Sequence, residues 1–437
     1  MNFRECLRYL EQIQNHGIKF GLDNVRSVLH ELNDPHANQK FIQVAGSNGK
    51  GSVCAMMSRI FTLHGYRCGL FTSPHLMRVE ERIRIDEKPI SPEEFCSVLT
   101  KIRNAVEALI NRGILQHPPT YFEMMTLAAL LHFRRRDVDL AILEVGMGGR
   151  FDATTVVDPK ITAITTISRE HEQYLGNTEA LIAAEKAGII KKNTPLISGV
   201  MNREARRVIR RKAESGGALF MEVFPPAAEF NQIAGKDHTF SMNWKGRSYM
   251  LAPSLPGRHQ GRNAAVAAAA ALEMSRHLRP LKRDLIERGV ATTQWEGRLE
   301  FIRRHPAVIL DGAHNEEGAR ALRAYLKENF NCPVILIFAV MKDKNIRRLG
   351  EILFPLAEKV YVTRFGYHRA ASPEAVMEAV PDFRSRIECE SNPGKALQAA
   401  LSEAGRDGGI VAAGSLYLIG TLKSVFRRLQ AVRKPVH

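Results

Sequence analysis

Cysteine is scarce in this sequence, and its distribution excludes two classes of protein. The 437 residues include six cysteines, and no two of them lie close together in the chain. Zinc sites and the disulfide frameworks of secreted domains usually depend on closely spaced cysteines. We therefore expect neither feature, and the pattern fits a reducing cytoplasm.

Long hydrophobic runs are also missing. The longest alanine-rich run, residues 264–272, is too short to cross a bilayer, and the first residues are charged throughout, unlike a signal peptide. Hydrophobic residues nevertheless make up 45% of the chain and charged residues 25%, so large folded cores are expected. We expect a cytoplasmic protein with no membrane partner.

Aromatic residues are few, at 7%, although the net charge is +16. The basic runs at residues 134–136 and 210–212 are not interleaved with aromatic residues, as they would be on many nucleic-acid-binding surfaces. A solvated basic surface is the simplest interpretation, and attraction of polyanionic small molecules is another. We expect no nucleic-acid partner.

Short apolar runs alternate with segments of helical spacing along most of the chain. This alternation predicts an α/β fold with a mostly parallel sheet and helices on both faces. A second alternating series begins near residue 307, so we place a boundary at residues 292–300 and predict domains at 1–294 and 295–437. The predicted strands are residues 41–45, 67–72, 140–145, 161–167, 307–310, 334–340, 359–363 and 409–413, with a hairpin at 240–251.

A glycine-rich turn, VAGSNGKGS at residues 44–52, follows the first strand and precedes a helix. The common phosphate loop has four residues between its glycines and a Ser or Thr directly after the lysine. Here two residues separate Gly46 from Gly49, and Gly51 follows Lys50. An ordinary turn is the alternative, but a lysine at a helix start is unfavourable unless an anion binds nearby. We therefore predict a phosphate site.

Three polar residues follow other predicted strands. Ser73 lies on a Ser-Pro turn, Glu144 is an acid inside an apolar strand, and His171 lies in a loop. An unpaired buried carboxylate is costly, and a divalent cation would compensate Glu144. A Ser-Pro turn and a solvent-facing histidine are common by themselves, so Ser73 and His171 carry little weight without Glu144.

Nine segments of the chain together resemble the folylpolyglutamate synthase/dihydrofolate synthase family, which is related to the Mur ligases. They keep the family's order and spacing from about residue 20 to the last helix. The segments are GSNGKGS (46–52), FTSPHL (71–76), TYFEMMT (120–126), EVGMGGRFDAT (144–154), HEQYLGNT (171–178), AAEKAGI (183–189), LPGRHQGRNAA (255–265), WEGRLE (295–300) and LDGAHN (310–315).

The resemblance implies a P-loop-type ATPase domain with a mostly parallel sheet, followed by a smaller Rossmann-like α/β domain. It implies an amide ligase that transfers the γ-phosphate of ATP to a substrate carboxylate and then joins L-glutamate to the acyl phosphate. The substrates would be folates and, as the segments at 21–32 and 120–123 suggest, dihydropteroate. We expect a monomer with Mg²⁺ as cofactor.

The resemblance also implies roles for individual residues. Ser73, Glu144 and His171 match the magnesium ligands, so Ser73 would supply the hydroxyl that is missing after Lys50, with Ser52 as a second contact. Glu144 and His171 are also expected to act in catalysis with Lys186, which matches a carbamylated lysine although the sequence around it reads as an exposed helix. Thr120 and Phe122 match the folate-binding region. The expected ATP contacts are Gly49, Lys50, Gly51, Ser52, Asn263, Arg298 and Asp311.

Three positions depart from the family pattern. Glu170 stands where Asp commonly precedes the histidine, and Glu316 stands where Pro is usual. Asn345 replaces the second Asp of an Asp-Lys-Asp segment that helps to shape the glutamate and nucleotide region. None of the three is an expected metal ligand.

Two other functions remain open at this point. A Mur-type peptide ligase would carry a separate amino-terminal domain for a UDP sugar, but the phosphate loop already begins at residue 46. A nucleic-acid-binding ATPase would suit the positive charge, but it leaves Glu144, His171 and the second domain without a role.

Overall fold

The computed structural model describes residues 1–14, 21–225 and 238–432, so residues 15–20, 226–237 and 433–437 of the expected domains lie outside the described residues. The chain forms two compact units. The first consists of Met1–His75, Val79–Ser254 and Gln260–Thr293, and the second of Leu76–Arg78, Leu255–His259 and Gln294–His437.

Eight described strands of the first unit form one sheet in the order β4-β3-β2-β5-β1-β6-β7-β8. The pairs from β2 to β8 are parallel, and β3 and β4 add an antiparallel edge. The strands are β1 (Phe41–Ala45), β2 (Cys68–Phe71), β3 (Ile83–Ile85), β4 (Lys88–Pro89), β5 (Leu140–Glu144), β6 (Ile161–Ile164), β7 (Leu196–Ser198) and β8 (Phe220–Glu222).

The central strands of this sheet are buried because helices cover both of their faces. Every residue of β1 and β5 is buried, which is typical of parallel strands inside an α/β layer structure. The sheet confirms the predicted fold class. Since the strands run in the same direction, the loops after β2, β5, β1 and β6 meet at one edge, where open α/β sheets bind ligands.

The helices of the first unit begin at recognisable sequence signals. Ser91 caps α4 just before Pro92, and Thr120 and Glu123 form a reciprocal capping box at the start of α5. The helices are α1 (Phe3–Gln14), α2 (Asp23–Glu31), α3 (Lys50–Leu63), α4 (Pro92–Asn111), α5 (Tyr121–Arg135), α6 (Glu172–Leu175), α7 (Glu179–Lys186), α8 (Arg203–Ser215), α9 (Arg258–Met274) and α10 (Arg283–Ala291). A separate hairpin joins β9 (Phe240–Trp244) to β10 (Arg247–Leu251).

The second unit contains a mixed sheet in the order β11-β12-β16-β13-β14-β15. Only β11 pairs in the antiparallel direction among these described strands. Its strands are β11 (Glu300–Arg304), β12 (Ala307–Leu310), β13 (Val334–Phe338), β14 (Lys359–Val362), β15 (Ile387–Cys389) and β16 (Gly409–Ala413). Its helices are α11 (Glu316–Asn329), α12 (Ile346–Leu353), α13 (Pro373–Ala379), α14 (Pro393–Glu403) and α15 (Leu416–Val432).

Two short segments upstream of residue 294 belong to the second unit, which corrects the contiguous division of the chain. The reason is close packing against its helices. The carbonyl oxygen of Leu76 lies 1.9 Å from the point where a Cβ on Gly420 would stand, and Arg258 forms an ion pair of 3.2 Å with Glu328. Within the described ranges, no helix combines the length and the apolar character needed to span a membrane.

Candidate active site

The phosphate-loop residues lie between β1 and α3, as expected. Gly49 adopts a left-handed conformation with φ of 82° at the N-cap of α3, and Lys50 is the first helical residue. The Nζ atom of Lys50 donates to the carbonyl oxygens of Gly46 at 2.7 Å and Ser47 at 3.2 Å. The ammonium group therefore stays within its own loop, beside the first turn of α3, which includes Gly51 and Ser52.

Asn263 of α9 lies directly against this loop. A Cβ on Gly49 would stand 2.3 Å from the Asn263 Oδ1 atom, so only glycine fits there. The Asn263 side chain is buried, and its amide donates to Gln260 Oε1 at 2.9 Å. The structure thus brings together Gly49 and Asn263, two of the residues that the family resemblance assigned to ATP.

The segment after β6 holds the other side of the phosphate loop in place. This contact was not predicted from the sequence. Thr165 donates through its hydroxyl to the carbonyl oxygen of Asn48 at 2.6 Å, and the Asn48 N–H donates to the Thr166 hydroxyl at 3.0 Å. Ser47 and Ser168 exchange two hydrogen bonds of 3.0 Å. The sequence does carry a signal for this contact, because the hydroxyl residues Thr165, Thr166 and Ser168 directly follow a buried strand.

Ser73 and Glu144 meet at the ends of the adjacent strands β2 and β5. The Ser73 backbone N–H donates to Glu144 Oε2 at 3.0 Å, and Glu144 is only 5% exposed. The carboxylate thus accepts a hydrogen bond, and its charge also acts on Cys54, a buried residue of α3. Burial raises the pKa of the Cys54 thiol, the charge of Glu144 raises it further, and Lys50 opposes the shift.

Lys186 is not exposed, contrary to the appearance of its sequence. Its side chain is 2% exposed at the end of α7, where Nζ lies 2.7 Å from Glu170 Oε1 and 3.1 Å from the carbonyl oxygen of Gly46. Burial would raise the pKa of Glu170, but the charges of Lys186, Lys50 and His171 outweigh it and lower that pKa to about 2. Burial lowers the pKa of Lys186 against the attraction of Glu170.

His171 follows this ion pair and is half-buried rather than freely exposed. It adopts a left-handed conformation with φ of 48° at the N-cap of the short helix α6. Its charge contributes to the low pKa of Glu170, so the imidazole lies in the same electrostatic group as Lys186 and Lys50.

A glycine turn at 146–149 links the loop after β5 to the end of α7. Asp152 accepts hydrogen bonds from the N–H groups of Gly146 at 2.9 Å and Met147 at 3.1 Å. The Arg150 N–H donates to the carbonyl oxygen of Glu185 at 3.2 Å, next to Lys186. These bonds hold the loop after Glu144 in a fixed shape.

The two expected folate-binding residues lie at the start of α5. Thr120 uses its hydroxyl to cap the helix, which is a structural role, and it is half-buried. The Phe122 ring packs against Phe71, with centroids 5.7 Å apart, and it occupies the space beside Gly146. Phe122 therefore connects the end of β2 with the loop that follows Glu144.

Arg298 and Asp311 are neighbours within the second unit. Asp311 is buried and accepts hydrogen bonds from the N–H groups of Leu299 at 2.8 Å and Ala313 at 2.9 Å. Burial raises the pKa of Asp311, while the charge of Arg298 and these two N–H groups oppose the rise. The arrangement holds a guanidinium group beside a buried carboxylate.

Two of the departures from the family pattern occupy helix starts. Asn345 accepts a hydrogen bond from the Arg348 N–H at 3.1 Å and thereby caps α12, as an aspartate would. Glu316 is the first residue of α11, where an acidic residue suits the helix dipole and a proline would also fit. Neither change disturbs the local fold.

Two of the three residues expected to bind metal offer the oxygen donors that a hard divalent cation prefers. Ser73 and Glu144 offer oxygen donors at adjoining strand ends, and His171 offers an imidazole. Across the described part of the chain, no three His, Cys, Asp or Glu side chains form a potential metal cluster. That observation does not concern the expected set, which contains one serine and two such side chains.

Comparisons with known proteins place these features in one class. The Mur ligase middle domain matches residues 44–271, and the Mur ligase glutamate ligase domain matches residues 297–416. A phosphate-loop α/β unit followed by a second α/β unit of this kind defines an ATP-dependent ligase of the Mur type.

Individual relatives narrow the class further. Dihydrofolate synthase/folylpolyglutamate synthase of Bacillus subtilis (strain 168) is 35% identical over 412 residues, which cover 93% of this chain and 95% of that protein. The structure of Mycobacterium tuberculosis folylpolyglutamate synthase complexed with ADP has a TM-score of 0.89 and 31% identity, covering 97% of this chain and 99% of that one. This chain belongs to the folylpolyglutamate synthase/dihydrofolate synthase family.

A third comparison concerns ligands. The bifunctional folylpolyglutamate synthase/dihydrofolate synthase from Yersinia pestis CO92, complexed with AMPPNP and a manganese ion, has a TM-score of 0.84 and 28% identity. The comparison covers 98% of each chain. That relative binds an ATP analogue together with a divalent cation.

Proposed function

We propose that this ligase adds L-glutamate to folates and also to dihydropteroate. The observation that carries the proposal is the contact of Ser73 with the buried Glu144 beside the phosphate loop of Lys50. A loop for phosphate and a buried carboxylate at neighbouring strand ends suit the activation of a carboxylate by ATP. The bifunctional name of the Bacillus subtilis relative supports dihydropteroate as a second substrate.

The reaction requires two steps. The substrate carboxylate oxygen attacks the γ-phosphorus of ATP, which gives an acyl phosphate and ADP. The amine of glutamate then attacks the acyl carbon, loses a proton, and phosphate leaves as the amide forms. Phosphoryl transfer of this kind depends mainly on positioning and on neutralising charge.

The residues of the first unit would bind ATP and the folate. Gly49, Lys50, Gly51 and Ser52 would offer N–H groups and one ammonium to the phosphates, and Asn263 borders the same loop. Thr120 and Phe122 would contact the folate beside the end of β2. Arg298 and Asp311 of the second unit would provide further ATP contacts, and that unit would carry the glutamate ligase role.

The contact of Ser73 with Glu144 supports a magnesium site at these strand ends, with His171 as the third expected ligand. Bound Mg²⁺ would neutralise negative charge on the phosphate oxygens. The burial of Glu144 would limit the access of water to the reacting groups.

Lys186 is proposed to carry a carbamate. Its burial supports the idea, because a lowered pKa leaves more of the neutral amine that reacts with carbon dioxide. The ion pair with Glu170 opposes it, since a carbamate would place two anions together. A mass increase at Lys186 in rapidly quenched protein, or a bicarbonate-dependent carbon-13 signal, would support the modification, and a free amine at saturating bicarbonate would exclude it.

The substrate proposal is tested with ATP and glutamate by offering dihydropteroate and tetrahydrofolate separately. We expect amide product from both, with one ADP released per amide. Product from tetrahydrofolate alone would remove the second activity, and product from neither would overturn the substrate assignment. We also propose that the enzyme is a monomer in the cytoplasm. Light scattering of the purified protein would test whether it is monomeric.

A further inference from the structure

The turn that carries Arg298 has a left-handed backbone on both sides of the arginine. Gly297 has φ of 73°, which glycine tolerates, but Leu299 has φ of 47°. A left-handed conformation is costly for a branched L-residue because its Cβ approaches the carbonyl oxygen. Leu299 is also 1% exposed, so surrounding contacts must hold the turn in this shape.

Three hydrogen bonds hold the turn. The Leu299 N–H donates to Asp311 Oδ2 at 2.8 Å, and the Gly312 N–H donates to the carbonyl oxygen of Gly297 at 2.9 Å. The Gly297 N–H donates to Glu300 Oε2 at 2.8 Å. The first two bonds come from the loop after β12, whereas the third depends on the position of the Glu300 carboxylate.

Lys423 of α15 determines where that carboxylate lies. Its Nζ atom forms a hydrogen-bonded ion pair with the other Glu300 oxygen, Oε1, and a second ion pair of 2.8 Å with Glu296. The Lys423 side chain is 6% exposed, whereas most lysines are solvated. One buried ammonium group thus connects both ends of the segment 296–300.

We propose that Lys423 is a positioning residue for ATP recognition. It fixes Glu300, Glu300 fixes the Gly297 N–H, and the turn then presents the Arg298 guanidinium in one orientation beside Asp311. Lys423 itself has no contact with substrate in this scheme. The inference rests on the proposed ATP contact of Arg298, and it adds a residue from the last helix to the requirements of that contact.

The test compares Lys423→Met with Lys423→Arg and with a matched control. Methionine keeps the apolar stem and removes the charge, so we expect the KM for ATP to rise about tenfold, as for loss of a charge-assisted hydrogen bond, with a much smaller change in kcat. Arginine should restore most of the loss. Lys359→Met is the control, because Lys359 also pairs with two glutamates of this unit, Glu388 and Glu403, but lies on β14, three strands away from β12.

The double variant Arg298→Ala/Lys423→Met distinguishes positioning from a general loss of stability. If Lys423 acts through Arg298, the double variant has the same KM for ATP as Arg298→Ala. Amide exchange in the peptide 294–300 should also accelerate in Lys423→Met and stay unchanged in Lys359→Met. Additive effects, or unchanged exchange, would overturn the positioning role.

Two further outcomes separate this inference from the proposed function. A normal KM for ATP in Lys423→Met, with a raised KM in Arg298→Ala, removes the role of Lys423 and leaves the ATP contact intact. A normal KM in Arg298→Ala removes both. If Lys423→Met does not fold, Glu300→Gln tests the same link, because glutamine keeps an acceptor for Gly297 but loses the charge that attracts Lys423. A normal KM for ATP in that variant would overturn the proposal.

Discussion

At the scale of single residues, Glu144 is the side chain on which the proposed metal site depends most. Glutamine at this position keeps the size of the side chain and an oxygen that can accept from the Ser73 N–H. It removes the charge, so we expect Glu144→Gln to lower ligation by at least a hundredfold, on the order of a lost electrostatic stabiliser, without unfolding the protein. Steady-state ligation and circular dichroism measure the two quantities.

The control for this variant is another buried glutamate of the same unit. Glu273 is 2% exposed and pairs with Lys245 and Arg276, away from the phosphate loop. Glu273→Gln should lower the unfolding temperature and leave kcat close to normal. Near-normal turnover of Glu144→Gln with unchanged magnesium dependence would refute the metal assignment.

The buried His132 should make the free energy of unfolding depend on pH. The side chain is 3% exposed in α5, and burial lowers its pKa to about 4 despite the attraction of Glu94. Between the ordinary pKa and pH 4 the unfolded chain binds a proton that the folded chain does not bind, so stability falls as the pH falls. The loss should be on the order of 2 kcal/mol.

Urea unfolding at pH 7.5 and pH 4.5 measures this loss. Replacing His132 with Gln should reduce the difference between the two pH values, whereas the exposed His117→Gln should leave it unchanged. An equal pH dependence in wild type and His132→Gln would show that other groups account for it.

The sequence predicted those residues of the site whose position is unusual for their type. Glu144 was recognisable because a carboxylate interrupts an apolar strand, and Lys50 because a cation begins a helix. The Glu170–Lys186 pair was not, because its partners are separated in sequence and each has an ordinary local pattern. Contacts of this kind depend on the packing of α7 against the loop after β6, which no local rule supplies.

At the scale of elements, the end of α7 packs closely against the glycine turn after β5. A Cβ on Gly188 would stand 2.4 Å from the Arg150 Cα atom, so a backbone segment would have to move. We expect Gly188→Ala to destabilise the protein by about 1–3 kcal/mol, as for overpacking, and to lower activity because Lys186 is two residues away. Thermal unfolding and ligation assays measure these effects.

Gly216 provides the comparison for this change. It also follows a helix of the first unit, with φ of −90°, and its nearest atoms would lie 3.4 Å and 3.6 Å from an added Cβ. Gly216→Ala should therefore be neutral or slightly stabilising. If both alanine variants behaved alike, close packing at Gly188 could not be the cause.

The main elements of the fold were predictable, and the edges were not. Residues 41–45, 307–310 and 409–413 form the expected strands. No sequence pattern predicted β11, because Glu300–Arg304 is a half-exposed edge strand with three charged residues. The two-residue strand β4 was missed because it is exposed and too short for a pattern.

At the scale of the whole molecule, the net charge of +16 should affect how fast anionic substrates arrive. Salt screens long-range attraction, with a Debye length of about 10 Å at 0.1 M. We expect kcat/KM to fall with added salt more steeply for a folate that carries several glutamates than for dihydropteroate, which has one carboxylate. Assays at several potassium chloride concentrations measure the slopes, and equal slopes would exclude steering by the net charge.

The segment Leu76–Arg78 belongs to the second unit although the rest of that unit lies much later in the chain, and this order affects folding during synthesis. Met77 belongs to the second unit, where its sulfur lies 3.7 Å from Arg427 Nη1, a residue 350 positions later. A ribosome must therefore synthesise most of α15 before Leu76–Arg78 can reach their final neighbours. Closing so long a segment is slow, and partly made chains expose apolar surface in the meantime. Premature termination within α15 should consequently harm folding in cells more than the small number of lost residues would suggest.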